Sequence, residues 1–246
     1  MVTTQKAGRI AILTLNRPKA LNALDTQAWT ELGNAVQLVL ADADIRACVL
    51  TGSGGRAFSA GADRKELTGR TIEGLLEHAQ RVHKILACIE ASPKPFVAAI
   101  NGLAVGGGAE IALACHLRVA ADNARLSFPE VQMGLIPGAG GTQRLARILG
   151  KGRAMELVLS GRRLYAQEAL HWGLLNEVAP AAELPAASQR IAECVLGGSP
   201  YAAALGIRAL NAAYESDSGT GSQLEIALLG LSFGLGQQHA ATDGKD

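Results

Sequence analysis

The chain has 246 residues, 48% hydrophobic and 18% charged, with a formal charge of +1. That apolar content supports a packed core in one large domain and excludes general disorder. Near-neutrality excludes a general field for nucleic acid or an acidic membrane, so any phosphate recognition is local.

The opening MVTTQKAGRIAIL lacks the basic start, apolar run and small-residue cleavage site of a secretory signal. Cys48, Cys88, Cys115 and Cys194 lie far apart with no C-x-x-C spacing, which disfavours a zinc site or a redox dithiol and fits a reducing cytoplasm. Residues 9 to 15 (RIAILTL) read as a strand, and Asp25 as the cap of a helix whose apolar face holds Trp29, Leu32, Val36 and Val39. Residues 46 to 51 (RACVLT) are a second strand, followed by a Gly/Ser-rich loop from Gly52 to Gly61. Leu75, Leu76, Ala79, Val82, Leu86 and Ile89 then mark an amphipathic helix that stops before Pro93.

Residues 96 to 115 (FVAAINGLAVGGGAEIALAC) have the length and apolarity of a membrane span, but three consecutive glycines and Glu110 argue for a buried strand, a turn and a buried helix. Residues 117 to 128 look extended again. From Gly140 onward helical patterns dominate, over 141 to 159, 166 to 172, 186 to 196, 201 to 215 and 222 to 233, with one strand run near Leu175 to Val178. The expected organisation is an α/β core over 1–185 and a helical region over 186–246, divided near Pro180 and Pro185.

GSGGRA at Gly52 superficially matches a dinucleotide fingerprint, but no helix opens inside it, and no P-loop or G-x-S-x-G elbow occurs. The run NGLAVGGGAEIALAC sets a glycine turn before an apolar helix. Unpaired N–H groups and the positive end of the helix dipole at such a start suit an oxygen that becomes negative. Gly107 and Glu110 are i, i+3 neighbours, and a carboxyl on so apolar a helix must be paired, protonated or turned to a cavity. An arginine partner is the plain alternative. FPEVQMGLIPGAGGTQRL sets a second carboxyl, Glu130, ahead of another glycine cluster, and two carboxyls in different environments can divide acid and base work. The histidines at 78, 83, 116, 171 and 239 form no metal-binding spacing and read as structural or surface residues. Arg144, Arg147, Lys151 and Arg153 read as a solvated basic helix face.

LNRPKALNAL at 15–24, AFSAGAD at 57–63, KPFVAAINGLAVGGGAEIALAC at 94–115 and PEVQMGLIPGAGGTQRL at 129–145, continued by GKGRAMELVLSGRRLYAQEALHWGLLNEV, together closely resemble the enoyl-CoA hydratase/isomerase (crotonase) family over nearly all of residues 9–215. The resemblance implies an α/β fold, the ββα superhelix with a helical trimerisation region, and assembly as a homotrimer or a pair of trimers. It implies a lyase that hydrates a 2-enoyl-CoA in acyl-CoA degradation, without a metal and without a cofactor beyond the CoA of the substrate. The N–H groups of Ala62 and Gly107 would form the oxyanion hole, Glu110 would activate water for C3, and Glu130 would give the proton to C2. CoA and substrate contacts would come from Lys19, Ala20, Leu21, Ala60, Asp63, Arg64, Lys65, Gly106 and Gly138. After LEIALLGLSFG the chain departs from the family pattern: it reads LGQQHAATDGKD where relatives pass an acidic turn into a final helix that closes the CoA site and contacts a neighbouring subunit. A shortened helical region is therefore expected. Family isomerases use the Glu130-type carboxyl without the Glu110-type one, so both glutamates favour the hydratase over the isomerase, and over an acyl-CoA-binding relative that has lost activity.

Overall fold

In the computed structural model, which describes residues 1–67 and 69–243, the chain winds as a spiral whose successive turns give one strand to each of two sheets. The first sheet takes β1 (Val2–Ala7), β2 (Ile10–Leu15), β3 (Ala47–Gly52), β5 (Phe96–Ile100), β7 (Leu117–Ala121) and β10 (Glu177–Ala179), in that order. Only the β1–β2 hairpin within it is antiparallel. The second sheet is β4 (Ala57–Ser59), β6 (Leu103–Val105), β8 (Arg125–Ser127) and β9 (Leu164–Tyr165), parallel but for its last pair. Each ββ step is followed by helix, so the mixed α/β superhelix implied by the motifs is the fold observed.

The first sheet is covered on both faces, which is why β3 and β5 read as continuous apolar runs. One face sends Leu13, Cys48, Leu50, Phe96 and Ile100 into the main core against α1 (Thr26–Ala41) and α3 (Ile72–Glu90). The other sends Ile10, Val49, Val97 and Val119 against α8 (Leu184–Leu196). The expected division at residue 185 falls at the start of α8, through Leu184 and Ala187 of which the helix packs on the sheet. Beyond it, α9 (Pro200–Glu215) and α10 (Ser218–Asp243) pack chiefly on each other and leave Leu210, Tyr214, Ile226, Leu229, Leu231 and Phe233 exposed. α10 continues without a break through residues 235–243, the segment in which the sequence departs from the expected pattern.

Asp25 caps α1 by accepting from the Ala28 N–H at 2.7 Å, and Trp29, Leu32, Val36 and Val39 are buried as the period requires. Several expectations are corrected. The Gly52–Gly61 loop contains β4, three buried residues too few to carry a visible period. Residues 117–128 are two strands in different sheets, and Leu103–Val105, between two glycines, is a strand that was not foreseen. The helix over 141–159 breaks at Gly150 (φ 77°) into α5 (Gly141–Leu149) and α6 (Lys151–Ser160). Leu75 and Leu76 of α3 are exposed, because its first turns run past the edge of the core. Residues 96–115 are β5, β6 and α4 (Gly107–Ala114), and among the described residues no helix is long and apolar enough to cross a membrane.

Candidate active site

The second sheet orders the site. Its parallel strands stand β4, β6, β8, and each ends shortly before a residue singled out in the sequence: Ser59 before Ala62, Val105 before Gly107, Ser127 before Glu130. Side chains and peptides beyond the carboxyl ends of adjacent parallel strands converge on one crevice. β6 is the middle strand, so Gly107 stands between Ala62 and Glu130.

The first pair meets through backbone. Leu24 donates to Gly61 O at 2.8 Å and Asp63 donates to Leu24 O at 3.0 Å, so the Ala62 N–H between them turns the other way. Gly61 (φ 83°) lies so close to the next turn that a methyl group on it would stand 2.5 Å from Val105 O and 3.5 Å from the Gly107 nitrogen. Among the described residues neither the Ala62 nor the Gly107 N–H has an acceptor. Gly107 opens α4, so its N–H belongs to the unpaired first turn.

The carboxyls come from the next turns of the chain. Glu110 is 2% exposed, in the first turn of α4, and its Oε1 accepts from the Ala139 and Gly141 N–H groups at 2.8 Å each. An arginine salt bridge, the alternative weighed from sequence, is therefore not what holds it: Glu110 caps α5, whose first residue is Gly141. Burial raises its pKa, opposed by those two N–H groups and by His83 and Arg144. Glu130 opens a 3-10 turn (Glu130–Met133) and lies directly on Gly106, whose φ of 49° and ψ of −120° suit glycine and whose missing side chain leaves room for the Glu130 Oε1. Burial, and then the Glu110 charge, push the Glu130 carboxyl up to about 7. Its Oε2 is buried without a hydrogen-bond partner among the described residues. Such an oxygen is satisfied by a proton or by a ligand.

Pro18–Ala20 forms a 3-10 turn, Leu21 follows in the left-handed region (φ 53°), and Leu21 O accepts from the Ala60 N–H at 2.9 Å. Leu21, with Lys19 and Ala20 just before it, is thus joined to Ala60, Asp63 is joined to Leu24 and Arg17, and α2 (Arg64–Leu67) carries Arg64 and Lys65 onward, with Arg64 Nη2 3.7 Å from Met133 Sδ. Gly138 is exposed on the loop leading to Ala139.

Two residues here, Asn22 and Arg17, were not singled out by the sequence, and a third, Arg144, was placed wrongly by it. Asn22 is buried, left-handed (φ 56°), accepts from the Arg17 N–H at 2.9 Å and donates to Ser53 O and Ala57 O at 3.0 and 2.8 Å. Arg17 bridges Asp25 at 2.9 Å and Asp63 at 3.2 Å, tying the helix cap to the residue after Ala62. Arg144, expected on a solvated face, is 8% exposed and paired with Glu90 at 2.7 Å. Arg147, Lys151 and Arg153 are exposed as expected. Polar residues inside a family motif were the available signal for Arg17 and Asn22.

The sequence model of the enoyl-CoA hydratase/isomerase family matches residues 5–236. The chain is 39% identical over 241 residues to the short-chain-enoyl-CoA hydratase of Clostridium acetobutylicum, covering 98% of this chain and 92% of that protein. It is 37% identical over 237 residues to the crotonyl-CoA hydratase of Syntrophomonas wolfei, covering 96% and 91%. Among solved structures, the enoyl-CoA hydratase of Bacillus anthracis superposes with a TM-score of 0.89 at 38% identity over 93% of this chain and 89% of that one. With its spiral of paired strands and its converging turns, the chain belongs to the enoyl-CoA hydratase/isomerase (crotonase) family.

Proposed function

We propose that this protein hydrates the 2,3 double bond of a 2-enoyl-CoA to a 3-hydroxyacyl-CoA. The observation that carries the reading is the pairing of a buried, partnerless Glu130 oxygen with Glu110, beside two unengaged N–H groups from separate turns. The thioester oxygen sits between the Ala62 and Gly107 nitrogens. Glu110 takes a proton from water as the water oxygen bonds to C3. The π electrons move to C2 and delocalise onto the thioester oxygen, where the two N–H groups stabilise the charge. Glu130, protonated at the start, gives its proton to C2, and exchange through water returns the proton on Glu110 to Glu130. No cofactor beyond the CoA is needed.

The CoA lies along Lys19, Ala20, Leu21, Ala60, Asp63, Arg64 and Lys65, with Gly106 and Gly138 lining the acyl end. The exposed apolar residues of α9 and α10 support burial against other copies, as a homotrimer or a pair of trimers. Four unpaired cysteines accord with work in the cytoplasm. The test is loss of the conjugated-thioester absorbance of crotonyl-CoA, with Glu110→Gln and Glu130→Gln each expected to abolish most of it. Normal hydration by Glu110→Gln together with its loss in Glu130→Gln would favour a 3-enoyl-CoA isomerase, and CoA binding without turnover in the wild type an inactive acyl-CoA binder.

A further inference from the structure

We infer that Arg144 is a positioning residue for the water-activating carboxylate, acting through the Ala139 peptide and anchored by Glu90. This rests on the hydratase reading of the site. Arg144 stands one turn into α5 and folds back over the residues before it. Its Nη1 donates to Ala139 O at 3.0 Å, and its Nε and Nη2 both donate to Glu90 Oε2, at 3.1 and 2.7 Å. The far side of that same turn, the N–H groups of Ala139 and Gly141, holds Glu110 Oε1.

The anchor is itself fixed. Glu90 ends α3, and its carbonyl accepts from Asn211 Nδ2 of α9 at 2.8 Å and lies 3.2 Å from His116 Nε2. A planar guanidinium offers its N–H groups in a fixed fork, so it holds the Glu90 carboxylate and the Ala139 carbonyl together in one preset geometry, where an ammonium on a flexible stem fixes their relative orientation less. Arg144 therefore sets which way the 139–141 peptides point. They in turn occupy one oxygen of Glu110 and, among the described residues, leave the other without a donor, available to water. The groups that act on the Glu110 charge are Arg144 from α5, His83 from α3 and Glu130 from the turn after β8, while β4 and β6 bring no titratable side chain. Loss of Arg144 thus moves both the aim and the proton affinity of Glu110.

The experiment measures crotonyl-CoA hydration by Arg144→Gln and Arg144→Lys, each alone and in a Glu110→Gln background, with exposed Arg147→Gln as control. Arg144→Gln is expected to lower kcat about 10- to 100-fold with KM within roughly threefold. In the Glu110→Gln background the same change is expected to cost less than roughly threefold, because residues acting as one unit are not additive. The acid limb of kcat/KM is expected to move to higher pH in Arg144→Gln and to stay near the wild-type position in Arg144→Lys. Equal losses in both backgrounds with an unmoved limb would overturn the inference and leave Arg144 a fold-stabilising residue. If Arg144→Gln does not fold, Glu90→Gln, which frees the guanidinium while keeping it, takes its place with the same two readouts. A wild type that hydrates nothing overturns the reading of the site and the inference with it, a failure visible before any Arg144 variant is made.

Discussion

Glu110 and Glu130 repel each other across the site in opposite states of hydrogen bonding: two backbone N–H groups hold an oxygen of Glu110, and none among the described residues reaches Oε2 of Glu130. The difference fits the division of labour proposed above: the two N–H groups favour the anion of the first carboxyl against the burial that raises its pKa, while the second, with no such donor on Oε2, holds its proton up to about pH 7.

The pH dependence follows from that division. In the proposed mechanism Glu130 must be protonated to supply C2, so kcat/KM is expected to fall as pH rises through about 7. Glu110 must be ionised, so the rate also falls as pH drops through its raised pKa. The result is a bell whose limbs belong to the coupled pair. A kcat/KM profile with crotonyl-CoA from about pH 5 to about pH 9 checks it, and a flat alkaline side would contradict the role given to Glu130.

Gly106→Ala is expected to damage chemistry more than folding. The added methyl meets the Glu130 carboxyl, and the backbone angles are strained for alanine. We expect a fall in kcat of about 100-fold or more, with KM little changed and circular dichroism near that of the wild type. Retained turnover would show that Glu130 works from elsewhere.

Asn22→Ala tests the loop that carries the proposed CoA contacts. It leaves the Arg17 N–H and the Ser53 and Ala57 carbonyls without their partner and puts alanine in a left-handed conformation. Destabilisation of about 3 kcal/mol is expected in urea unfolding, and KM for the enoyl-CoA is expected to rise before kcat falls. A change confined to kcat would separate this loop from substrate binding.

His116 sets part of the acid stability. Its Nδ1 accepts from the Phe96 N–H at 2.9 Å, its Nε2 faces Glu90 O, and burial drops its pKa to about 4 from 6.5. Below pH 6.5 the unfolded chain takes up a proton that the folded chain refuses until about pH 4. About 3 kcal/mol of stability is therefore lost across that window. Urea midpoints at fixed chain concentration should fall less steeply with acid for His116→Gln than for the wild type, although the variant starts lower at pH 7. Parallel curves would remove His116 from the acid response.

Much of this molecule was readable as a string of residues, for identifiable reasons. β3, β5, α1 and α4 carry long apolar patterns or a cap, and Glu110 and Glu130 stand in motifs where a carboxyl is conspicuous. The three-residue strands β4 and β6 were invisible, and β8 was merged with β7 into one extended run, since three residues carry no period and the existence of such strands depends on pairing with chain far away. For the same reason Arg144 looked solvated: one helix gives no hint that Glu90, on another, waits for it. Leu75 and Leu76 failed oppositely, matching the period of a core face that the packing leaves bare.

Those same short strands fix the scale of the reaction centre. Neighbouring strands stand about 4.8 Å apart wherever backbone ladders form, so the interval from Ala62 to Gly107 to Glu130 is a ruler graduated in peptide units. Substitutions within the sheet can weaken that ruler but cannot recalibrate it. Diversity in the molecules processed is then expected in the segments hung beyond its marks, because the sheet itself sets the interval along which the proposed thioester clamp and proton donor lie.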